Sequence, residues 1–139
     1  MSLFETLRLP AERTVVAPDG SDVRVLLGLA SGGMAHFELA AGKTAGAVTH
    51  RTVEEIWFVL AGRGEMWRQQ GEREEIVALE PDVCVTIPLG TQFQFRASAT
   101  EALAVVAVTM PPWPGGAEAI PVNGPWQATP SSADRADPR

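Results

Sequence analysis

The stretch of sequence that decides the fold spans residues 42–62 and reads GKTAGAVTHRTVEEIWFVLAG. The glycines at its ends, Gly42 and Gly62, lie where a small β-barrel needs turns, because glycine adopts positive φ angles at little steric cost. Val48 and His50 are separated by a single residue, so both side chains point to the same face of a strand. Glu55 begins the next strand after a short turn, and we expect its carboxylate to lie beside the imidazole of His50.

Short apolar segments with turn residues between them continue along the chain, which is the pattern of an all-β sandwich or barrel. Residues 56–60 are apolar without interruption, so we expect both faces of this strand to be covered. Residues 62–64, Gly-Arg-Gly, predict a hairpin turn into the next strand. Residues 102–109 form a long run rich in β-branched side chains and predict a central strand.

Length and composition indicate one domain and argue against several classes of function. The chain has 139 residues, an ordinary size for one domain, and a net charge of −6. It has no basic stripe to neutralise phosphates, so we expect no nucleic-acid partner. Residues 1–10 contain acidic Glu5 and no continuous apolar stretch, which predicts neither a signal peptide nor a membrane span.

The cysteine content points to the compartment. Cys84 is the one cysteine of the chain, so no intramolecular disulfide can form. This is typical of a reducing compartment, and we predict a cytoplasmic protein without a membrane partner. Cys84 lies in the apolar run at residues 83–87 and is interpreted as a small buried side chain.

The sequence divides into three parts. We assign residues 1–22 to an N-terminal arm, residues 23–110 to the barrel and residues 111–139 to a tail that contains proline and tryptophan. The prolines of the tail end regular structure, because proline cannot donate to a β-ladder. Trp113 and Trp126 are the residues expected to hold the tail on the barrel. The last residues, 131–139, lack large apolar side chains, and we predict that they are disordered.

The spacing within residues 42–62 resembles the first conserved motif of the cupin superfamily. That motif has glycines at both ends, two histidines and a glutamate, and Val48 occupies the position of its first histidine. Residues 87–90, Ile-Pro-Leu-Gly, resemble the core of the second cupin motif, with Phe93 in place of its histidine. The resemblance implies an all-β fold, an antiparallel jelly-roll (double-stranded β-helix) barrel, in a small single-domain cupin.

In a typical cupin these four positions hold Fe, Mn, Ni or Zn, and this chain keeps two of the four ligands, His50 and Glu55. Two protein ligands hold a divalent ion weakly, so we predict that no metal cofactor is tightly bound. The alternative is a metal at His50 and Glu55 with donors added from His36, Gln92 or Gln94. Strand alternation turns both glutamines away from the face of the residue between them. His36 contributes only if its strand lies beside His50 and the side chain points inward.

Apolar residues around the His50–Glu55 pair predict a ligand pocket. Trp57 is two residues after Glu55 and therefore faces the same side of the strand. His50 and Glu55 would form the polar end of the pocket, and they are the candidate catalytic acid and base. The alternative is a barrel filled by its own side chains, with the two residues forming a self-satisfied polar pair. The predicted pocket residues are Val48, Trp57, Phe93 and Phe95.

These observations predict a cupin that binds a small organic ligand in its barrel. One alternative is a metal-dependent or acid–base enzyme of the isomerase, decarboxylase or dioxygenase type, which the resemblance links to a sugar or a small organic acid. The other alternative is a non-catalytic structural or sensory dimer. We also expect a homodimer, because the outward side chains of the 56–60 strand need cover. The N-terminal segment or the tail is the other source of that cover.

Overall fold

The computed structural model describes residues 2–17 and 19–130, which form eleven strands and one short 3₁₀ helix. The predicted disorder at residues 131–139 lies outside the described residues. No helix within the described residues is long and apolar enough to cross a membrane. The strands are β1 (Val15–Val16), β2 (Asp22–Leu29), β3 (Gly32–Leu39), β4 (Val48–His50), β5 (Glu54–Ala61), β6 (Gly64–Gln70), β7 (Arg73–Leu79), β8 (Cys84–Ile87), β9 (Gln92–Ala97), β10 (Leu103–Met110) and β11 (Ala119–Pro121), and the helix is Gly116–Glu118.

The strands form two antiparallel sheets, which confirms the predicted all-β jelly-roll fold. The first sheet has the order β1-β2-β3-β10-β5-β8, and the second has the order β11-β4-β9-β6-β7. β10 lies between β3 and β5, as the β-branched run at residues 102–109 predicts. The two motif residues therefore lie on opposite sheets, His50 at the end of β4 and Glu55 near the start of β5.

The predicted hairpin at residues 62–64 is wrong, because β5 and β6 belong to different sheets. The chain crosses between the sheets at this point. Gly62 has a φ of 81°, and a Cβ there would overlap the backbone carbonyl of Ala102. Gly62 is therefore needed because the backbone passes close to another segment where the chain crosses between the sheets, and not because it forms a hairpin turn.

An aromatic cluster fills the closed part of the space between the sheets. Trp57, on β5, is buried, and its ring meets Phe37 of β3 at 5.4 Å between centroids. From the second sheet, Phe93 and Phe95 of β9 approach the same ring at 6.1 and 4.9 Å. The edge-to-face arrangement of these rings is the favoured one. The cluster joins the two sheets beside Glu55, two residues before Trp57.

The outer face of the first sheet carries one row of side chains, fixed by the strand register. Arg24 pairs with His36, His36 with Val106, Val106 with Phe58, and Phe58 with Cys84. Directly paired residues share a face, so all five lie on the outer face of the sheet, where His36 is nevertheless buried. Cys84 is exposed, and the prediction of a buried thiol is wrong, because β8 alternates and turns Val85 and Ile87 inward instead.

Within the described chain the outer face of β5 stays partly exposed, so the expectation that both faces are covered stays a prediction. Ile56, Phe58 and Leu60 remain 40%, 40% and 47% exposed. The inward residues of the strand alternate with them and are buried. The uninterrupted apolar run therefore belongs to a strand with one buried face and one partly exposed apolar face.

The segments on either side of the predicted barrel each add a strand to it. β1 pairs with β2, and β11 pairs with β4. Trp126 holds the tail, as expected: its backbone N–H donates to Oε1 of Gln94 at 3.1 Å, and the Arg96 guanidinium lies 4.1 Å from its ring. Trp113 packs on His50 with 5.0 Å between ring centroids. The tail thus reaches the candidate site.

Candidate functional site

A cavity of about 680 Å³ lies between the two sheets, and the side chains of the described residues leave this space open. A volume of this size is within the range of roughly 300–1,000 Å³ that is typical of small-molecule sites. Its wall comes from β1, β2, β3, β5 and β10 of the first sheet, from β4, β9 and β11 of the second, and from the tail. Most of this wall is apolar. The polar side chains in it are Asp19, His50, Glu55 and Thr109.

His50 and Glu55 meet in this wall, as the sequence predicts. Nδ1 of His50 lies 3.4 Å from Oε2 of Glu55, and both side chains are buried. The contact is not an aligned hydrogen bond, so Nδ1 has no hydrogen-bond partner among the described residues. Phe93 packs edge-on against the His50 ring at 5.3 Å, and Trp113 packs on it as well. The imidazole is therefore fixed by aromatic contacts.

Trp57 positions the carboxyl group of Glu55. Its indole Nε1 donates to Oε1 of Glu55 at 2.6 Å. Burial raises the pKa of Glu55 from 4.5 to about 7, the Trp57 hydrogen bond opposes this rise, and the charge of Asp19 adds to it. Burial likewise lowers the pKa of His50 below 6.5, although the Glu118 carboxylate and the backbone of Val53 oppose the shift. Near neutral pH the imidazole is uncharged and Glu55 is close to its midpoint of ionisation.

Glu118 shapes the loop that joins the two motif residues. Its carboxylate accepts hydrogen bonds from the backbone N–H groups of Thr52 and Val53 at 2.6 and 2.9 Å, and from the Thr52 hydroxyl at 2.7 Å. Burial alone would raise the pKa of Glu118, but these hydrogen bonds outweigh it and hold the pKa below its usual value. The Arg51 side chain also donates to the carbonyl of Ala117 at 2.8 Å. The tail thereby fixes the loop between β4 and β5.

Three of the four predicted pocket residues line the cavity: Val48, Trp57 and Phe93. Phe95 is the exception and requires a correction. It is buried at 1% exposure behind Trp57 and is absent from the cavity wall in the described structure. Phe93 and Phe95 share a face of β9, but Phe95 packs against the Trp57 ring while Phe93 lines the cavity, so the face of the strand alone does not predict access to the cavity.

None of the three added metal donors joins His50 and Glu55. His36 lies on the outer face of the first sheet, in the row that contains Phe58. Gln94 is buried on the outward side of β9, where its amide donates to the carbonyls of Ala45 and Trp126, each at 2.9 Å. Gln92 alternates with Phe93 and so points away from the cavity.

The donor set does not fit the metal that this type of barrel implies. In the described part of the chain, no group of three or more His, Cys, Asp or Glu side chains is placed to hold an ion. Val48 and Phe93 occupy the remaining ligand positions of the motif and have no donor atom. The His50 side chain is instead packed between two aromatic rings. The motif positions therefore do not form a complete metal site within the described residues.

The site also contains Asp19, Trp113 and Glu118, whose roles there are not predictable from the motif spacing. Asp19 lies in the turn before β2, where its Oδ1 accepts from the backbone N–H and the hydroxyl of Ser21 at 3.0 and 2.7 Å. For Trp113 the sequence predicts only that it anchors the tail. Glu118 gives no signal in the sequence, because a lone glutamate in an irregular segment is ordinarily solvated.

The chain is similar to known proteins in family and in structure. A model of the cupin domain matches residues 35–109, more than half of the 139 residues. A Bacillus halodurans protein of known crystal structure is 21% identical, with a TM-score of 0.61 over 74% of this chain and 77% of its own. A cupin protein from Bacteroides fragilis is 16% identical, with a TM-score of 0.61 over 80% of this chain and 86% of its own. KdgF from a Halomonas species is 16% identical, with a TM-score of 0.61 over 72% of this chain and 87% of its own. Similarities at such identities show the fold alone, and no curated protein has significant sequence similarity to this chain.

Proposed function

This chain belongs to the cupin family, and from that premise we propose that it binds a small, mainly apolar organic molecule in the cavity of its barrel. The observation that carries the proposal is the cavity of about 680 Å³ with a buried His50–Glu55 pair in its wall. A buried carboxyl group and a buried imidazole are costly in an apolar environment unless they are hydrogen-bonded. A bound ligand that offers polar atoms to this end of the cavity would offset part of that cost.

The direct test is to fill the cavity from one wall. Ala35, on β3, lines the cavity, and Ala35→Phe adds an aromatic ring to that wall. Neutral bicyclic aromatic probes (indole, 3-ethylindole and 2-naphthol) are expected to raise the Tm of the native protein and to bind it in calorimetry. Ala35→Phe is expected to weaken the same probes by about tenfold or more, because the added ring occupies the space of the ligand.

The matched control is Ala78→Phe. Ala78 is exposed on β7, in the second sheet and away from the cavity, and it receives the same added ring. We expect this variant to bind the probes like the native protein. The proposal is contradicted if none of the probes binds the native protein, or if Ala35→Phe and Ala78→Phe bind them equally well.

A second function, acid–base catalysis on the bound molecule, is supported by the opposite pKa shifts of the central pair. Environments that raise the pKa of one group and lower that of its neighbour are typical of sites that move a proton. Glu55, protonated in part near neutral pH, would act as the acid, and neutral His50 would act as the base. Catalysis predicts that a bound compound is chemically changed when it is recovered after incubation and examined by mass spectrometry. Simple binding predicts that the compound is recovered unchanged.

We further propose that the protein forms a homodimer through the outer face of the first sheet. Ile56, Phe58 and Leu60 present an uncharged apolar strip on this face. The N-terminal segment reaches the same face at Pro10 and Ala11, whose carbonyls accept hydrogen bonds from Arg24 of the outer row at 2.8 and 3.0 Å. Phe4 of that segment is fully exposed as well. A second copy related by a two-fold axis would cover both apolar elements with their equivalents.

Phe58→Glu is therefore expected to convert a dimer to a monomer. The substitution places a charge at the centre of the proposed interface, where it would be desolvated without a partner. Light scattering coupled to gel filtration is expected to give twice the chain mass for the native protein and a single chain mass for this variant. Ile76→Glu is the control, because Ile76 is 51% exposed on β7 of the other sheet. A native protein that is monomeric at about 50 μM, or a Phe58→Glu protein that remains dimeric, contradicts the dimer.

A further inference from the structure

Residues 2–9, called the leading segment below, carry large apolar side chains that the rest of the described chain does not bury. Phe4 is fully exposed and Leu3 is 82% exposed, while Leu7 and Leu9 are each nearly half exposed. The leading segment has neither helix nor strand, and all of its residues are exposed. A group of large apolar side chains left open to water in this way is typical of a contact surface.

The apolar surface on the outer face of the first sheet is wider than β5. Met34 of β3 pairs with Val108 of β10, and Val108 pairs with Ile56 of β5. Met34 and Ile56 are 43% and 40% exposed. This row lies beside the row that contains Phe58, so apolar side chains extend over three neighbouring strands. We call this surface the apolar face. Three neighbouring strands span about 10 Å, which is wide enough to hold an extended segment.

The leading segment is long enough to reach the apolar face of its own chain but does not cover it. Arg24 fixes the base of the segment at the end of the outer row, through the carbonyls of Pro10 and Ala11. In that row three strand spacings separate Arg24 from Phe58, a distance of about 14 Å. The chain from Phe4 to Pro10 spans up to about 20 Å when extended. Phe4 and Phe58 nevertheless both remain exposed, so the described chain leaves two apolar elements without a cover.

The sequence at the base of the segment disfavours a return onto the same sheet. The residue before a proline is held in extended conformations, because the proline ring clashes with its backbone in the helical region. Pro10 therefore disfavours a tight reversal of the chain at Leu9. A segment that continues outward from this point is directed toward a second molecule.

We infer that two copies of this chain exchange their leading segments, so that the leading segment of each copy lies on the apolar face of the other. The inference rests on the proposed homodimer and names the contact that holds it together. A two-fold axis makes the exchange reciprocal, so one arrangement covers both segments and both faces. Exchange of an identical element between protomers is also a low-cost route to a dimer, because each copy keeps its own fold.

Photo-crosslinking from the leading segment tests the exchange directly. The photo-reactive residue p-benzoylphenylalanine replaces Phe4, and dimers are formed from a mixture of heavy-isotope-labelled and unlabelled chains. After irradiation and trypsin digestion, we expect position 4 to be linked to residues 52–63, which contain Phe58, or to residues 25–43, which contain Met34. Some of these crosslinks are expected to join a labelled to an unlabelled chain, which is possible only between two copies. The same photo-reactive residue at Ile76, exposed on β7 of the other sheet, should not give these crosslinks.

A double variant of the leading segment measures how much the exchange contributes to the dimer. Phe4→Glu combined with Leu7→Glu places two charges in the segment, where they would lose water on the apolar face without gaining a partner. We expect the Kd of the dimer, measured by analytical ultracentrifugation, to rise at least about tenfold. Both positions are exposed within one chain, so the fold of each copy should be unchanged. The matched control adds the same two charges at exposed positions of β7, Ile76→Glu with Ala78→Glu, and should leave the Kd unchanged.

The outcomes separate the exchange from the dimer itself. If the native protein is a dimer that Phe58→Glu dissociates, but crosslinks from position 4 stay within one chain or reach only other surfaces, the dimer stands and the exchange is overturned. A Phe4→Glu, Leu7→Glu variant that dimerises as tightly as the native protein also overturns the exchange. If the native protein is monomeric at about 50 μM, the dimer and the exchange fall together. Binding in the cavity is decided separately, by Ala35→Phe.

Discussion

Gly62→Ala is expected to lower the free energy of unfolding by about 2–5 kcal/mol, a large part of the stability of an ordinary domain. Two physical effects add at this position. A side chain at a φ of 81° is strained by about 1–2 kcal/mol, because the left-handed region brings Cβ close to the backbone. The new Cβ would also overlap the backbone carbonyl of Ala102, which cannot move aside like a flexible side chain. Urea denaturation followed by tryptophan fluorescence measures the change.

Gly42→Ala separates the two effects, because it shares the first and lacks the second. Gly42 has a φ of 78°, and no heavy atom lies within 4 Å of the position that its Cβ would take. We expect this variant to lose only about 1–2 kcal/mol. If Gly62→Ala gives no soluble protein while Gly42→Ala folds, the result agrees with the larger destabilisation expected for Gly62→Ala. Equal losses in both variants would show that the close approach at Ala102 does not constrain the fold.

The elements that the sequence predicts well are those fixed by local geometry. Gly42, Gly62 and Gly90 all have positive φ angles, which the spacing of the glycines predicts. His50 and Glu55 lie together because the few residues between them form a short loop that can close in few ways. Local spacing is sufficient here, because the turn and the two strands that it joins are contiguous in the chain.

Contacts between distant segments are what the sequence does not predict. The Gly-Arg-Gly segment at residues 62–64 is equally compatible with a hairpin and with a crossing between sheets, and the choice depends on Ala102, far along the chain. Cys84 lies in an apolar run whose alternate residues face opposite sides of one strand. Its exposure depends on what covers the outer face of the sheet, which composition does not reveal.

The same reasoning applies to the site. The apolar residues that replace metal ligands, Val48 and Phe93, are visible in the sequence, and they do line the cavity. Two further residues of the wall come from elsewhere: Asp19 from the turn before β2, and Trp113 from the tail. A motif-based analysis can therefore predict that an ordinary metal site is incomplete. It cannot predict which distant residues complete the wall of the cavity.

Glu55→Gln is expected to make the fold more stable at high pH and to remove part of its pH dependence. The pKa of Glu55 is 4.5 when unfolded and about 7 when folded, mainly because of burial. Below about pH 4.5 the carboxyl group is protonated in both states and has no effect on stability. Between these pKa values the folded state holds the proton more tightly, so stability falls as pH rises. Above about pH 7 the loss of folding stability is complete. It amounts to about 3 kcal/mol, because each unit of difference between the folded and unfolded pKa corresponds to about 1.36 kcal/mol.

The measurement is the difference in unfolding free energy between Glu55→Gln and the native protein at several pH values from about 4 to about 8, where it is expected to grow by about 3 kcal/mol. The lowered pKa of His50 acts in the opposite direction, because acidification below pH 6.5 destabilises the fold through this residue. His50 is present in both proteins, so its effect largely cancels in the difference.

Trp57→Phe provides a second test of the same titration. It removes the N–H that favours the ionised carboxylate, so the pH range of the loss should move upward. Parallel stability curves for the native protein and Glu55→Gln would mean that the carboxyl group titrates as if in water, and Glu55 would then not be the desolvated group on which the proposed site depends.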